Sequence, residues 1–467
     1  MAFRSESTRH VWFPPRSLHV SATGGYFSRR TITDLAADLR ARRVTSADLI
    51  GVAIEEAESS QSTINAFVTI DVAGARAAAA AADRELAAGA DRGPLHGVPI
   101  AVKDMIDVRG LPTTASSRHF VNRIATRDAD CVERLRRAGA IVIGKTTTHE
   151  FANGPTGDRA ATGPTRNPHA LGHMSGGSSS GSAAAVAAGI VPVALGTDTG
   201  GSVRIPAACC GVVGIRPTQG AISTHGVLPL ASSMDTVGVL ARCAADAHVV
   251  LSALIDDFSP PAECTSVAGV RVRWISPRSI HATQPSIARS ARDLVAPFLT
   301  DEIDIHGAEA LRFSYRVIQG REAHAVHAER LSLAPDLYDP EVRERLEMGG
   351  TYTDSQFLQA IAIREQFRVG VAQLLSAVDF IALPTIPFSA PPLFSRRVSV
   401  EDQPVDVPSG LLSLTAPWSL IGLPAVSIPA ADVDGLPVGV QLVGRPHTEA
   451  GLLSFAAKLE ARKLFES

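Results

Sequence analysis

Lys103 ends the apolar run Val98-Pro99-Ile100-Ala101-Val102, and two glycine–serine blocks follow much further along the chain. The first is Gly176-Gly177-Ser178-Ser179-Ser180-Gly181-Ser182, the second Gly196-Thr197-Asp198-Thr199-Gly200-Gly201-Ser202-Val203-Arg204. Two serines and a lysine can make an acyl-transfer site without a histidine, because Ser–Lys variants replace the usual base. A serine is a weak nucleophile at its own pKa and must lose its proton as it attacks a carbonyl carbon. A hydroxyl both donates and accepts, so a second serine can pass that proton to a lysine. The lysine is a base only when neutral, which requires its pKa to fall from about 10.4 toward about 7–8. That bias is roughly 3–5 kcal/mol, within reach of burial, and the apolar run leading into Lys103 signals burial. Glycines beside a serine also let backbone N–H groups approach a developing oxyanion, each such donor contributing about 3–4 kcal/mol.

Three competing readings attach to the same residues. Gly139-Ala140-Ile141-Val142-Ile143-Gly144-Lys145-Thr146 satisfies the phosphate-loop pattern, but its central residues are a largely β-branched run suited to a buried strand. Gly177-Ser178-Ser179-Ser180-Gly181 fits a nucleophile elbow centred on Ser179. An elbow must follow a strand directly, and residues 171–176 carry no strand pattern. Both blocks could also be flexible linkers. Against that, residues 182–188 form an Ala-rich helix pattern ended by Gly189, with Ser182 or Ser180 available as its N-cap.

The elements that must hold these groups follow from periodicity. Residues 98–102, 141–143 and 191–195 read as strands, and 131–138 and 182–188 as helices, an alternation that implies a layered α/β sheet. Thr33 or Ser46 caps two early helices, and the alanine-rich stretch 73–90 reads as a solvent-facing helix. Residues 255–375 lose their glycine punctuation and read as long helices, clearest at 341–348 and 355–375. Strand character returns at 380–385 and 438–443. Residues 1–30 read as an arm and 31–467 as one large domain, with a core over about 93–254 and a helical, substrate-shaping region over about 255–375.

Composition bounds the partners. Hydrophobic residues make up 45% of the 467, enough for a large core, and 44 basic against 47 acidic side chains give a net charge of −3. That balance argues against a nucleic-acid or membrane-surface partner. The odd count of five cysteines, without metal-ligand spacing, fits reduced thiols in a cytoplasmic protein, and adjacent Cys209 and Cys210 fit small core residues. The N-terminus has Arg4 and Arg9 but no apolar run of signal-peptide length, and no segment approaches the roughly 18 uninterrupted apolar residues of a membrane span.

The two blocks, the upstream lysine and their separations resemble the amidase signature family, from about Thr31 to the C-terminus and most closely over residues 93–243. Gly144-Lys145-Thr146 with Glu150-Phe151, Asp235-Thr236-Val237-Gly238 and Gly435-Leu436-Pro437-Val438-Gly439-Val440-Gln441 add to the resemblance. It implies Ser202 as nucleophile, Ser178 as relay serine after a cis Gly177–Ser178 bond, and Lys103 as base. The implied fold is a single large mixed β-sheet core covered by helices on both faces. The tight turn at Thr199, Gly200, Gly201 and Ser202 is then the oxyanion hole, braced by Asp198 and Arg204, with Ser179 as a supporting hydroxyl. Two segments depart from the family pattern: Thr113-Thr114-Ala115-Ser116-Ser117, where relatives carry Thr-Thr-x-Gly-Ser, and Ser419, where many carry asparagine. Both are expected to reshape the substrate pocket, whose apolar wall is sought in Phe151, Phe388, Phe394, Leu411, Leu412, Leu414 and Trp418.

The expectation is hydrolysis of a linear amide C–N bond, in a small acyl or aryl amide or a related carbamate or ester, through an acyl-enzyme on Ser202. No metal or organic cofactor is expected, nor nucleic acid or membrane, and a homodimer is left open. The alternative is the glutamine-hydrolysing component of a tRNA-dependent amidotransferase. A non-catalytic scaffold is disfavoured because Lys103, Ser178 and Ser202 are all present.

Overall fold

The computed structural model describes residues 23–258 and 269–466; most of the arm expected over 1–30 lies outside them. The first described element is a 3-10 turn at Tyr26–Arg29, which buries Phe27. Helices Ile32–Arg40 and Ser46–Ile64 follow, capped by Thr31 and Thr45 rather than by Thr33 or Ser46. Each cap is reciprocal: the threonine hydroxyl accepts the N–H three residues on, and Asp34 or Asp48 accepts the cap N–H. Helix Val72–Ala87 is not simply solvent-facing, since Ala75, Ala79 and Ala82 form a buried stripe at helical spacing.

Eleven strands make one mixed sheet. From one edge it runs Phe67–Ile70, Ile141–Thr146, Pro99–Lys103, Val193–Asp198, Thr236–Ala241 and Val213–Arg216. It continues through Ala425–Pro429, Gly439–Val443, Phe380–Pro384, Val272–Ile275 and Leu299–Ile303. Ile141–Thr146, Pro99–Lys103 and Val193–Asp198 are mutually parallel, and so are the last three strands; the pairings between these sets are antiparallel. The central strands are buried along their whole length, as their unbroken apolar runs require of a sheet covered on both faces. The phosphate-loop match is thus a buried strand, its backbone committed to the ladder.

Two expectations change. The region 255–375 contributes two strands at the far edge of the sheet, besides helices Pro285–Val295, Ala308–Leu333, Pro340–Gly349 and Asp354–Ser376. Four or five residues each, and partly polar, these strands carry too little pattern to stand out. Within the stretch 171–176 read as patternless, strand Ala170–Met174 reaches as far as Met174 and pairs with Arg166–Asn167 in a small separate ribbon. That ribbon lies outside the central sheet, so it does not supply the strand an elbow needs.

The topology decides where chemistry can occur. Pro99–Lys103 and Val193–Asp198 run side by side and parallel, with Val102 opposite Leu195, so Lys103 and Thr197 emerge together at their C-terminal ends. Carboxyl ends of parallel strands are where open α/β sheets place ligands. Helix Ser180–Ala187 lies against both strands and starts at that same edge.

Candidate active site

Lys103 is fully buried, and its ammonium nitrogen lies 2.8 Å from Ser178 Oγ and 2.7 Å from Thr197 Oγ1. Burial pulls its pKa down to about 7, against the opposing pull of Asp198 and Asp235. A neutral amine here can donate to Thr197 and keep its lone pair for the Ser178 proton. Thr197 was not singled out in the sequence, although it stands in the second glycine–serine block.

Ser178 is placed by its own backbone. The Gly177–Ser178 peptide is cis, and the Ser178 carbonyl accepts from His149 N–H at 3.0 Å, Ser180 N–H at 2.8 Å and Thr148 Oγ1 at 3.0 Å. Ser179 is spent on the sheet: its Oγ donates to the Thr197 carbonyl and accepts the Thr197 N–H. A hydroxyl bonded in this way is no free nucleophile, and neither Ser180 nor Ser182 caps the helix; Ser179 stands at the cap without a capping side-chain bond. The Ser179 N–H donates to the Ser202 carbonyl at 3.1 Å, tying the two serine segments together.

Ser202 follows strand Val193–Asp198 in the turn before helix Arg204–Cys210 and opens onto a cavity of about 880 Å³. Its Oγ makes no hydrogen bond among the described residues, so no bond to Ser178 is formed, and the two serine segments are joined through the Ser179–Ser202 backbone bond. Catalytic hydrogen bonds often tighten only with substrate present. Asp198 organises this turn by accepting from Gly201 N–H at 2.8 Å, Val203 N–H at 3.2 Å and Arg204 at 3.1 Å, with Arg216 at 3.3 Å. Burial alone would raise the Asp198 pKa, but Arg204 and Arg216 overcome it and hold the carboxyl well below its ordinary value.

This bracing corrects one assignment. The Gly201 N–H is taken by Asp198, so it is not a free oxyanion donor; those of Thr199, Gly200 and Ser202 make no hydrogen bond among the described residues. Gly201 is required for another reason: its φ is +135°, and a Cβ there would stand 2.2 Å from Thr415 Oγ1. At Gly200 a Cβ would stand 2.1 Å from Tyr315 Oη, a cavity-lining residue with no motif around it to mark it.

The aromatic wall is not where it was expected. Phe151 is buried among His119, Phe120, His327 and Tyr338, and Trp418 is buried with its indole N–H on the Leu414 carbonyl at 2.9 Å. Of the seven apolar candidates only Leu412 lines the cavity. The segments that depart from the family pattern do not line it either. Thr113 accepts from buried Lys145, Thr114 and Ser116 bind Asp104, and Ser419 accepts from Arg204 and donates to Asp198. Cys209 and Cys210 are core residues as expected. Among the described residues, no three His, Cys, Asp or Glu side chains group to hold a metal, and no helix is long and apolar enough to cross a membrane.

Because Asp198 neutralises two buried guanidinium groups, Asp198→Ala should lower unfolding free energy by about 3–5 kcal/mol. Denaturant unfolding measures this; a loss of less than about 0.5 kcal/mol would place the network at the level of an exposed pair.

The sheet, the buried lysine beside a serine and the glycine turn opening on a cavity together define an enzyme that cleaves the C–N bond of an amide. The family model for Amidase matches residues 48–304 and 307–453, and the chain belongs to the amidase signature family. It is 34% identical to the A component of glutamyl-tRNA(Gln) amidotransferase from Roseiflexus sp. (strain RS-1), over 91% of this chain and 94% of the relative. A crystal structure of an amidase superposes with TM-score 0.87 at 35% identity, over 93% of this chain and all of that one. Native peptide amidase from Stenotrophomonas maltophilia superposes with TM-score 0.77 at 28% identity, over 94% and 97%.

One expectation about partners is overturned. The absence of a nucleic-acid partner was argued from a net charge near zero, yet the Roseiflexus relative is one component of an enzyme named for glutamyl-tRNA(Gln). Net charge is a global sum and does not report what an assembled enzyme binds.

Proposed function

We propose that this protein hydrolyses an amide through an acyl-enzyme on Ser202, and the observation that carries the reading is the buried Lys103–Ser178 contact of 2.8 Å. In this mechanism Ser202 Oγ attacks the carbonyl carbon while its proton passes to Ser178, whose own proton passes to neutral Lys103. The tetrahedral oxyanion meets the N–H groups of Thr199, Gly200 and Ser202. Collapse breaks the C–N bond, and the proton returns from Lys103 through Ser178 to the leaving amine. Water then attacks the acyl carbon with the same relay as base, releasing the acid and Ser202. Asp198, Arg204 and Arg216 hold the turn and touch no reacting atom.

The amidotransferase relatives favour glutamine as the amide, with ammonia delivered within an assembly that handles tRNA. A second reading, a free-standing amidase for a larger amide, is favoured by the cavity. Its volume of about 880 Å³ lies within the range of roughly 300–1,000 Å³ that takes drug-sized ligands, far beyond one glutamine side chain. Four free cysteines among the described residues accord with a cytoplasmic setting for either reading. Ammonia or amine release from glutamine, aryl amides and peptide amides by the purified protein separates them. Glutamine as the preferred substrate supports the first reading, a larger amide supports the second, and turnover of none would reject both.

A further inference from the structure

The cavity that Ser202 opens onto is lined by four arginines and by the carboxylates Glu341, Glu344 and Asp406. Two of the arginines are already neutralised: Arg345 bonds Glu341, and Arg396 bonds both Glu341 and Asp158. Asp406 is spent capping helix Val407–Ser413 through the Ser409 N–H and hydroxyl. Arg312 and Arg316 differ. Arg312 makes one bond, to the Ile280 carbonyl, and Arg316 makes neither a hydrogen bond nor an ion pair among the described residues. Both stand on helix Ala308–Leu333 one turn apart, a spacing at which like charges repel. Tyr315, between them in sequence, packs on Gly200 of the nucleophile turn. The pair therefore sits within about one helical turn, roughly 5 Å along the axis, of the residue touching that turn. Glu344 is the one lining carboxylate without a partner among the described residues, so the cavity keeps an excess of unspent positive charge.

We propose that Arg312 and Arg316 form a carboxylate-binding subsite, and that the substrate is an amide whose acyl part carries a carboxylate a few bonds from the scissile carbonyl. The inference rests on Ser202 being the nucleophile of this cavity. Two guanidinium forks one turn apart match a single carboxylate, and charge-assisted bonds of this kind fix orientation as well as affinity. A bound carboxylate also relieves the repulsion within the pair.

Calorimetric titration with glutarate tests the subsite without requiring turnover. Saturable, salt-sensitive binding is expected for the wild type and for Ser202→Ala. It should weaken about tenfold or more in Arg312→Gln/Arg316→Gln and by less in Arg312→Lys/Arg316→Lys, which keep the charge but lose the forks. Arg316→Gln alone removes an exposed side chain without a partner among the described residues, so its weaker binding cannot be a folding defect. No glutarate binding to the wild type, or equal binding by the glutamine variants, overturns the proposal. Intact glutarate binding in a protein whose Ser202 proves unreactive would instead reject the functional reading while leaving the subsite standing.

Discussion

Ser202→Ala is expected to abolish amide turnover and to leave the fold unchanged. The side chain opens onto the cavity, and its Oγ makes no hydrogen bond among the described residues that the fold would miss. Its loss removes the one side-chain oxygen that the mechanism bonds to the acyl carbon, so no acyl-enzyme forms for water to hydrolyse. The residual rate is expected to fall by about five to six orders of magnitude, leaving what oxyanion donors and binding supply. Turnover of the variant against its thermal unfolding midpoint checks both halves. Residual activity within about a hundredfold of wild type, in a variant free of contamination, would move the nucleophile elsewhere.

Lys103→Ala is expected to cost several orders of magnitude, because both transfers of the Ser178 proton would lose their partner. Lys103→Arg should be nearly as damaging, since a guanidinium stays protonated and has no lone pair to offer. The wild-type profile follows from the same burial. With its pKa drawn down to about 7, Lys103 is protonated and inert below that pH and neutral above it. Activity is therefore expected to rise through an ionisation near 7 and to stay high on the alkaline side, where a free lysine would still be charged. An activated ester suffers less than the matching amide in both variants, because its leaving group needs no proton. Rates for the pair of substrates in all three proteins decide the matter. An arginine variant that hydrolyses the amide at nearly the wild-type rate would reduce Lys103 to a structural charge.

The parts of the site legible in the sequence are those whose chemistry demands particular residue types near glycine. Lys103, Ser178 and Ser202 stood out because an apolar run and two glycine–serine blocks have few other uses; in the structure Lys103 bonds Ser178, and the Ser179 N–H ties that segment to the Ser202 carbonyl. The mixed sheet was likewise readable where strands are long and buried, as at Ile141–Thr146 and Val193–Asp198. Short edge strands such as Val272–Ile275 were not, because four residues cannot display a period. Thr197, Tyr315 and Arg216 escaped notice because their roles come from pairings across the sheet or between distant helices, which no local spacing encodes. The pocket wall was misplaced for a similar reason. Aromatic residues belong equally well in a core, and Phe151 and Trp418 are buried there. Gly201 shows the limit on donors: its glycine was legible, but the capture of its N–H by Asp198 was not.

The most direct test of the Ser202–Ser178–Lys103 relay is the site of covalent modification by a sulfonyl fluoride, mapped by peptide mass spectrometry. A single adduct on Ser202 is expected, formed faster as pH rises through about 7 and strongly slowed in Lys103→Ala. An adduct on Ser179 or Ser178, or one on Ser202 whose rate is indifferent to Lys103, would contradict it.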